Sequence, residues 1–306
     1  MTLSEFISSR EEKEADLAEA LLNNWRAING GDSIGLEKEF LLVDSKGRPL
    51  KQRRVTELED IMREEIEGSR WSGSSYGIDI NLVNPNKHFQ EMSTGVCNDI
   101  DMLAQNYFWL YNTLSSHLGR GESILETGSY KGRYMATHIH LGARSLKEAF
   151  FIGQASRQHL PEFIAFFNYS TRFSHFNRKM PRPFDSERLF SFARTKEQRT
   201  DYDLVLTGLS TVELRCCDSQ ANPDLDLAIA AYAFAVHQLA RKAFAEGADY
   251  PLQRSETSLR QMYNAVKKKG MFSYAADFFI TEWVAESLQH LNLNPKYGKP
   301  ILEIFN

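Results

Sequence analysis

Polar and apolar residues alternate with a period of two in five short stretches of the chain. Such alternation is typical of β-strands, because successive side chains of a strand point to opposite faces of the sheet. An antiparallel sheet with one face on the core and one face in water produces this pattern. The five predicted strands are SIGLEKEFLLVD at 33–44, GIDINLV at 77–83, FQEMST at 89–94, YMATHIHLG at 134–142 and TVELRCCD at 211–218.

The first predicted strand carries two carboxylates on one face. Glu37 and Glu39 are two positions apart, so their Cα atoms lie roughly 6.6–7 Å from each other. Like charges held this close raise each other's pKa unless cations neutralise them. A pair of divalent ions such as magnesium or manganese is the usual remedy, since both prefer oxygen ligands. A solvated edge strand, whose two glutamates simply face water, is the alternative interpretation.

The other four predicted strands repeat this arrangement. Their polar faces collect acids, imidazoles and an arginine, with scarcely a lysine, opposite faces of aliphatic residues. The polar-face residues are Asp79, Asn81, Glu91, His138, His140, Glu213, Arg215 and Cys217. One such strand is ordinary in a sheet with a wet face, but five together predict the wall of a site for metal ions and phosphate.

Helical periodicity and capping signals fill most of the remaining chain. The sequence Asn222-Pro223-Asp224 is a strong helix start, with an Asx N-cap and proline at the first helical position. Helices are predicted over 4–28, 55–67, 99–118, 146–159, 222–246, 255–269 and 274–291, with a short helix from Pro161, short strands at 122–126 and 202–207, and loops at 68–77 and 128–133.

These elements predict an α+β fold. A curved, mainly antiparallel sheet forms the active site on its concave polar face, and helices pack on its outer, apolar face. We expect a single catalytic domain over 1–306, since no clear linker divides the chain. It would comprise an N-terminal helix at 1–30, the sheet with its helices at 31–220 and a C-terminal helical part at 221–306.

Bulk properties narrow the classes of function. The 306 residues carry a net charge of −4 and a pI of about 6.1, which gives no reason to expect nucleic acid or an anionic membrane as a partner. No apolar run approaches the roughly 18 residues of a spanning helix. The acidic, polar N-terminus does not resemble a signal peptide, so a cytoplasmic location is expected. The cysteines, Cys97, Cys216 and Cys217, have no zinc-site spacing and are expected as buried thiols, with Cys217 on the polar face beside Arg215.

Two basic segments have open interpretations. The stretch NYSTRFSHFNRKMPRP at 168–183 contains Arg172 and Arg178, and it is either a solvated loop or a mobile lid that supplies cations to phosphates. The helix predicted at 255–269 ends in three lysines that begin with Lys267. These lysines suit the negative end of the helix dipole, and their alternative role is to contact a nucleotide.

The ordered motifs resemble a known family. The combination GLEKEFLLVD, FQEMSTG, THIHLG and TVELRCCDSQANP is similar, in order and approximate spacing, to the glutamate–cysteine ligase type 2 family, the bacterial carboxylate–amine ligases of the glutamine synthetase superfamily. The resemblance covers most of the chain from Ser33 to about Gly270. It implies a glutamine synthetase-like catalytic fold whose strands line a funnel for divalent metal ions, ATP phosphates and an amino-acid carboxylate.

The resemblance also implies roles for individual residues. Arg215 would contact phosphate or the developing acyl phosphate, with Glu213 beside it in the catalytic centre, while His140 would stand next to the metal ligands. Asp79 is a looser match. The implied metal ligands are Glu37, Glu39, Glu91, His138 and Glu213. Arg172, Arg178 and Lys267, taken from the two basic segments, join Arg215 as candidate nucleotide-binding residues.

The expected reaction is ATP-dependent formation of an amide bond, with ATP and Mg²⁺ or Mn²⁺ as cofactors. ATP would activate a carboxylate, by family analogy that of glutamate, as an acyl phosphate, and a small amine or amino acid would attack it, leaving ADP and phosphate. Metal ions and an arginine would neutralise the two anions that the reaction brings together. A metal-dependent amide hydrolase and a catalytically silent relative that binds nucleotide or metal are the alternatives. The sequence leaves the acceptor, the number of metal ions and the oligomeric state open, and a homo-oligomer is compatible with it.

Overall fold

The computed structural model of the protein describes most of the chain between residues 29 and 163 and between residues 210 and 259. The described residues are 4–5, 23, 25–27, 29–69, 78–82, 89–126, 129–130, 133–163, 191–192, 204–207, 210–220, 222–259, 261–262, 287, 291, 296 and 298–299. The helices predicted at 4–28, 255–269 and 274–291 lie largely outside these residues, as does the loop predicted at 68–77.

The described strands form one open sheet and one small hairpin. They are β1 (Ile34–Val43), β2 (Asp79–Asn81), β3 (Gln90–Ser93), β4 (Ser123–Leu125), β5 (Ser129–Tyr130), β6 (Arg133–Tyr134), β7 (Ala136–Gly142), β8 (Ser191–Phe192), β9 (Leu204–Leu206) and β10 (Thr211–Asp218). The sheet has the order β2-β3-β1-β7-β10-β9-β8, with β4 paired to the end of β1. All of its described pairs are antiparallel except β8 with β9.

All five strands predicted from the alternation are present, and so are the short strands predicted at 122–126 and 202–207. The loop prediction for 128–133 is wrong, because β5 and β6 pair there as a hairpin. Strand β8 has no counterpart among the predicted elements. Pairs of two residues are too short to leave a period-two signal, so the sequence pattern could not find them.

Four described helices pack against the sheet. They are α1 (Gln52–Gly68), α2 (Ile100–Ser116), α3 (Leu146–Gln158) and α4 (Pro223–Glu246). Asp99, Ser145 and Asn222 cap the last three, each accepting a hydrogen bond from a backbone N–H of the first turn. Helix α2 contacts β1, α4 contacts β7, and α3 contacts β9 and β10. Within the described residues, none of the helices combines the length and the apolar character that crossing a bilayer requires.

The inner face of the sheet and the helices enclose the main core. Ile34, Leu36 and Phe40 of β1 are at most 1% exposed, and they belong to one cluster with Tyr107 of α2 and Tyr232 of α4. Full burial of a large apolar side chain stabilises the fold by roughly 1.5–3 kcal/mol. Because a shift by one residue would expose every one of these side chains, the core fixes which face of β1 points outward. The predicted α+β fold with helices on the apolar face is therefore confirmed.

Strand β10 contains a bulge that changes the face of its last residues. Leu214 lies opposite Ile139 of β7, but the next regular pair is Cys217 with Thr137. Arg215 and Cys216 of β10 therefore lie opposite a single residue of β7, His138. This extra residue in β10 turns Cys217 towards the core. The prediction that Cys217 shares the polar face with Arg215 is wrong for this reason. Both adjacent thiols are buried as expected, with their sulfur atoms 3.8 Å apart.

One charged residue of β1, Lys38, points into the core and is fully buried. Its Nζ forms an ion pair with Asp226 of α4, donates a hydrogen bond to the Gln220 carbonyl at 2.6 Å and lies 2.7 Å from Glu126 Oε1. The same atom lies 5.7 Å from the centre of the Tyr107 ring, within the range of a cation–π interaction. The buried ammonium group thus donates hydrogen bonds to Gln220 and Asp226 and forms a second ion pair with Glu126.

The two carboxyl groups around this ammonium are tied to further elements. Asp226 accepts hydrogen bonds from the Thr137 hydroxyl at 2.9 Å and from the Tyr107 hydroxyl at 3.0 Å. Burial raises the pKa of Asp226 against the opposing effect of the ammonium group. Burial likewise raises the pKa of Glu126, to about 7. Glu126 therefore changes from its protonated to its ionised form near neutral pH.

Replacing Glu126 by glutamine should remove part of the pH dependence of stability. A carboxyl whose pKa rises from 4.5 to about 7 on folding holds its proton more tightly in the native state, so it stabilises the fold fully below pH 4.5 and loses that contribution as the pH rises through 7. We expect the free energy of unfolding of the parent protein, measured by urea denaturation, to fall by about 3 kcal/mol relative to Glu126→Gln between pH 4.5 and pH 8.

The exposed Glu64 of α1 provides the control for this measurement. Glu64→Gln should follow the parent protein across the whole pH range. Parallel curves for Glu126→Gln and the parent protein would show that Glu126 titrates at its ordinary value and that the cluster has been misread.

Candidate active site

The register of the sheet brings the polar-face residues of three strands together. Glu37 of β1 lies directly opposite His138 of β7 on one side and Ser93 of β3 on the other. Two residues further along β7, His140 lies opposite Glu213 of β10. Directly opposed residues of an antiparallel pair share a face, with their Cβ atoms roughly 4.5–5.5 Å apart. The strands therefore hold two carboxylates and two imidazoles within reach of one another.

Glu37 lies between the two histidines. Its Oε2 is 3.5 Å from His138 Nδ1 and 3.4 Å from His140 Nε2. Burial alone would raise the pKa of Glu37, but the charge of His140 and hydrogen bonds from both imidazoles hold it well below its usual value. Burial alone would lower the pKa of His140, and the Glu37 carboxylate outweighs this effect and raises it. Glu37 is thus an ionised carboxylate near neutral pH.

Glu213 and Arg215 follow each other on the polar face of β10. Arg215 Nη1 donates a hydrogen bond to Glu213 Oε1, and this oxygen also lies 3.6 Å from His138 Nδ1. Burial opposes ionisation of Glu213, but the charges of the histidines and of Arg215 lower its pKa. The Nε of Arg215 is buried and has no hydrogen-bond partner among the described residues. A buried guanidinium with an unused donor is suited to binding an anion.

Glu91 and Glu39 lie opposite each other on β3 and β1. Ligand atoms of Glu91, Glu37 and His138 lie within 4.8 Å of one another, as do those of Glu37, His140 and Glu213. Glu39 belongs to neither of these groups, and its Oε2 accepts a hydrogen bond from the backbone N–H of Ala136 at 2.9 Å. The structure therefore brings four of the five implied metal ligands together and places Glu39 at their margin.

The remaining predicted site residues lie at the edge of this cluster or outside the described residues. Asp79 of β2 is exposed and lies opposite Ser93, two strands away from Glu37. Arg172, Arg178 and Lys267 fall outside the residues that the structure describes. Their assignment to nucleotide binding therefore stays a prediction.

Two polar-face residues that were not singled out from the sequence border the site. Thr211 Oγ1 lies 3.0 Å from His140 Nδ1, which orients the imidazole so that its other nitrogen faces Glu37. Ser93 lies opposite Glu37 itself. Each residue is two positions from a predicted ligand, Thr211 before Glu213 and Ser93 after Glu91. Extending the period-two pattern by one step would have found both.

The donor set fits a divalent cation. Carboxylate oxygens with one or two imidazole nitrogens suit magnesium or manganese better than a soft metal, which would select thiolates. His138 Nε2 is buried, and no described residue forms a hydrogen bond with it. Two overlapping ligand groups that share Glu37 would place two cations side by side. Glu37, Glu91, His138 and Glu213 are accordingly the residues that could hold them, with His140 as an additional nitrogen ligand.

Comparisons with known proteins show similarity at the level of three-dimensional structure. No family model matches the sequence, and no curated protein is significantly similar to it. The fold is similar to a GmaS structure in complex with ADP, with a TM-score of 0.48 and 14% identity over 91% of this chain and 74% of that chain. It is also similar to a glutamine synthase homologue, with a TM-score of 0.48 and 12% identity over 95% of this chain and 68% of that chain.

A third similar structure is a bifunctional glutathione synthetase from Pasteurella multocida, with a TM-score of 0.49 and 10% identity over 96% of this chain. The present chain spans only 49% of that protein, about half of its length. All three structures share 10–14% identity with this chain at TM-scores of 0.48–0.49.

Replacing Glu37 by glutamine should strongly weaken divalent-cation binding without unfolding the protein. Losing a mere partner of a metal ligand weakens binding by roughly 10–100-fold, so losing the carboxylate shared by both ligand groups should weaken it by roughly 100-fold or more. The affinity for Mn²⁺ can be measured by electron paramagnetic resonance, and folding by circular dichroism. Glu64→Gln on the exposed side of α1 is the matched control. Unchanged Mn²⁺ affinity in Glu37→Gln would place the cation site elsewhere.

Proposed function

We propose that this chain is an ATP-dependent carboxylate–amine ligase, which activates an acid as an acyl phosphate and joins it to an amine. The observation that carries the proposal is the meeting of Glu37, His138, Glu213 and Arg215 on one face of a sheet. Such a wall offers ligands for cations and a guanidinium for an anion side by side. The ordered sequence motifs, which resemble those of glutamate–cysteine ligases, support glutamate as the donor acid and a small amine or amino acid as the acceptor.

The carboxylates and imidazoles meet the main electrostatic demand of this reaction. Transfer of a phosphoryl group to a carboxylate brings two anions together, and this approach is unfavourable unless positive charge lies between them. When bound at the polar face, divalent ions supply that charge and polarise the phosphoryl group. Glu37 and Glu213 stay ionised because neighbouring cations lower the pKa of each carboxyl. Both are therefore ready to hold a metal ion at neutral pH.

Arg215 supplies a group that binds anions, which metal ligands alone do not provide. Its guanidinium has donors in a fixed planar fork, which matches two oxygens of a phosphate or acyl phosphate. One nitrogen of the group bonds Glu213, while the buried Nε has no partner among the described residues. The pair with Glu213 fixes the position of the guanidinium next to the metal ligands, where the transferred phosphoryl group would lie.

The site favours a ligase over a metal-dependent amide hydrolase. A hydrolase needs metal ligands and an activated water molecule, whereas an arginine beside the metal ligands meets the further demand of binding the transferred phosphoryl group. The ligase mechanism needs no protein nucleophile, since the amine substrate attacks the acyl phosphate itself. A catalytically silent relative could relieve the repulsion of its clustered carboxylates by substitution, yet the described residues retain Glu37, Glu91 and Glu213.

Phosphate release from Mg-ATP should depend on two substrates at once. Purified protein would be assayed with glutamate and other amino acids, singly and in pairs, and the products analysed by mass spectrometry. We expect ADP, phosphate and a new amide only when both an acid and an amine are present. Glu213→Gln should reduce turnover by roughly 100-fold or more, because it removes a carboxylate of the cation site. Amide cleavage without ATP would identify a hydrolase, and ATP binding without turnover would identify a silent relative.

Replacing Arg215 by lysine should impair the phosphoryl-transfer step although the positive charge is kept. Lysine lacks the planar fork and places its charge as a single point. We expect kcat to fall by roughly 100–1000-fold, the usual effect of losing one donor to a developing anion, with little change in the KM for the amine. Arg48→Lys, at an exposed arginine paired with Asp44, is the control. Full activity of Arg215→Lys would remove Arg215 from the catalytic centre.

A further inference from the structure

The two strands that carry Glu37 and His138 are joined a second time on the opposite face of the sheet. Lys38 of β1 and Thr137 of β7 lie directly opposite each other, one step along the ladder from the pair of Glu37 with His138. Because successive side chains alternate between faces, this neighbouring pair points into the core. A contact that holds Lys38 and Thr137 in place therefore also holds Glu37 and His138.

Asp226 provides that contact. Its Oδ1 accepts a hydrogen bond from the Thr137 hydroxyl at 2.9 Å, and its Oδ2 is ion-paired with Lys38. Asp226 lies in the first turn of α4 and is fully buried. The Asp226 carboxylate thus binds both Lys38 and Thr137 and connects them to the first turn of α4, a helix of 24 residues.

The backbone ladder is irregular at this position. On its other side β7 pairs with β10, and the register of that pair shifts between Leu214 and Cys217. His138 therefore has no regular partner on β10, while Thr137 lies at the edge of the irregularity, opposite Cys217. A bulge locally disrupts the ladder and bends the strand. The side-chain bond from Thr137 to Asp226 restrains β7 where its backbone pairing is irregular.

Stability alone does not explain why the core contains this contact. Replacing a buried ion pair by apolar residues of similar volume is often neutral or stabilising, and the best-attested role of such pairs is to fix one register. The surrounding inner face consists of aliphatic residues such as Leu36 and Ile139. Aliphatic residues pack against many partners, whereas the oxygens of Asp226 accept only from correctly placed donors.

We propose that Asp226 and Thr137 are positioning residues, which hold β1 and β7 in the register that places the Glu37 carboxylate beside the His138 imidazole. The inference rests on the proposed cation site. The Glu37 Oε2 to His138 Nδ1 distance of 3.5 Å is the quantity that they control. Neither residue touches the polar face, so neither is itself a ligand.

Three substitutions on β7 test the proposal. Thr137→Val keeps the shape of the side chain and removes the hydroxyl, whereas Thr137→Ser keeps the hydroxyl and removes the methyl group. Ile139→Val removes a methyl group from the next inner-face position of the same strand without touching Asp226. All three reduce core packing or bonding by a small amount, but only Thr137→Val breaks the bond to Asp226.

Mn²⁺ binding, measured by electron paramagnetic resonance on the full chain, is the readout, with the thermal midpoint recorded for each variant. We expect Thr137→Val to bind Mn²⁺ about 10-fold more weakly and with an altered spectrum, as for the loss of a group that orients a metal ligand. Thr137→Ser and Ile139→Val should bind like the parent protein, whatever their thermal midpoints. Affinity that simply follows the thermal midpoint across the variants would reduce the contact to a structural one.

The outcomes separate this inference from the proposed function. If the parent protein binds Mn²⁺ and Thr137→Val binds it equally well, the positioning role is wrong and the cation site stands. If Thr137→Ser loses as much affinity as Thr137→Val, the hydroxyl is not the active group and the inference fails. If the parent protein itself binds no Mn²⁺, the proposed cation site is wrong, and the positioning role is overturned with it.

Discussion

The ion pair between Lys38 and Asp226 is the interaction on which the central strand depends. In strand β1, Lys38 lies between Glu37 and Glu39. Because side chains alternate between faces, the two glutamates can lie on the polar face only if the Lys38 ammonium group is buried in the core. Removing one partner of a buried pair leaves an uncompensated charge, which destabilises a protein by roughly 3–5 kcal/mol. The fold meets this constraint with three oxygen atoms, one from Glu126 and two from the segment that leads into α4, and the placement of Glu37 follows from it.

The two faces of the sheet solve the same electrostatic problem in different ways. On the inner face, the Lys38 ammonium group is the cationic partner of two buried carboxyls, Asp226 and Glu126. Burial keeps Glu126 protonated up to about pH 7. On the polar face histidines and Arg215 keep Glu37 and Glu213 ionised. A carboxyl that gives up its charge cannot ligate a cation, whereas one that keeps it can. The same residue type is therefore structural beneath the sheet and a candidate ligand above it.

The sequence predicted the parts of this arrangement that repeat locally. Alternation identified five strands and, up to the bulge in β10, the face of each, and capping residues such as Asn222 identified the start of α4. The pairing of Lys38 with Asp226 could not be predicted, because the two residues are 188 positions apart and nothing in either segment encodes the other. The bulge in β10 was also missed, since an extra residue breaks the period-two rule for Cys217 without changing the composition of the strand. Both misses concern contacts between separate elements, a strand with a helix in the first case and two strands in the second, rather than patterns within one element.

The bulge explains how one short segment serves both faces. Up to Arg215 strand β10 follows the alternation and contributes Glu213 and Arg215 to the polar face. The extra residue then turns Cys217 inward, and within a few residues the Gln220 carbonyl accepts a hydrogen bond from Lys38 beneath the sheet. The chain next enters α4, which brings Asp226 to the same ammonium group. In a regular strand Cys217 would lie on the polar face, so the bulge beside Arg215 lets neighbouring positions supply both a polar-face arginine and the buried partners of Lys38.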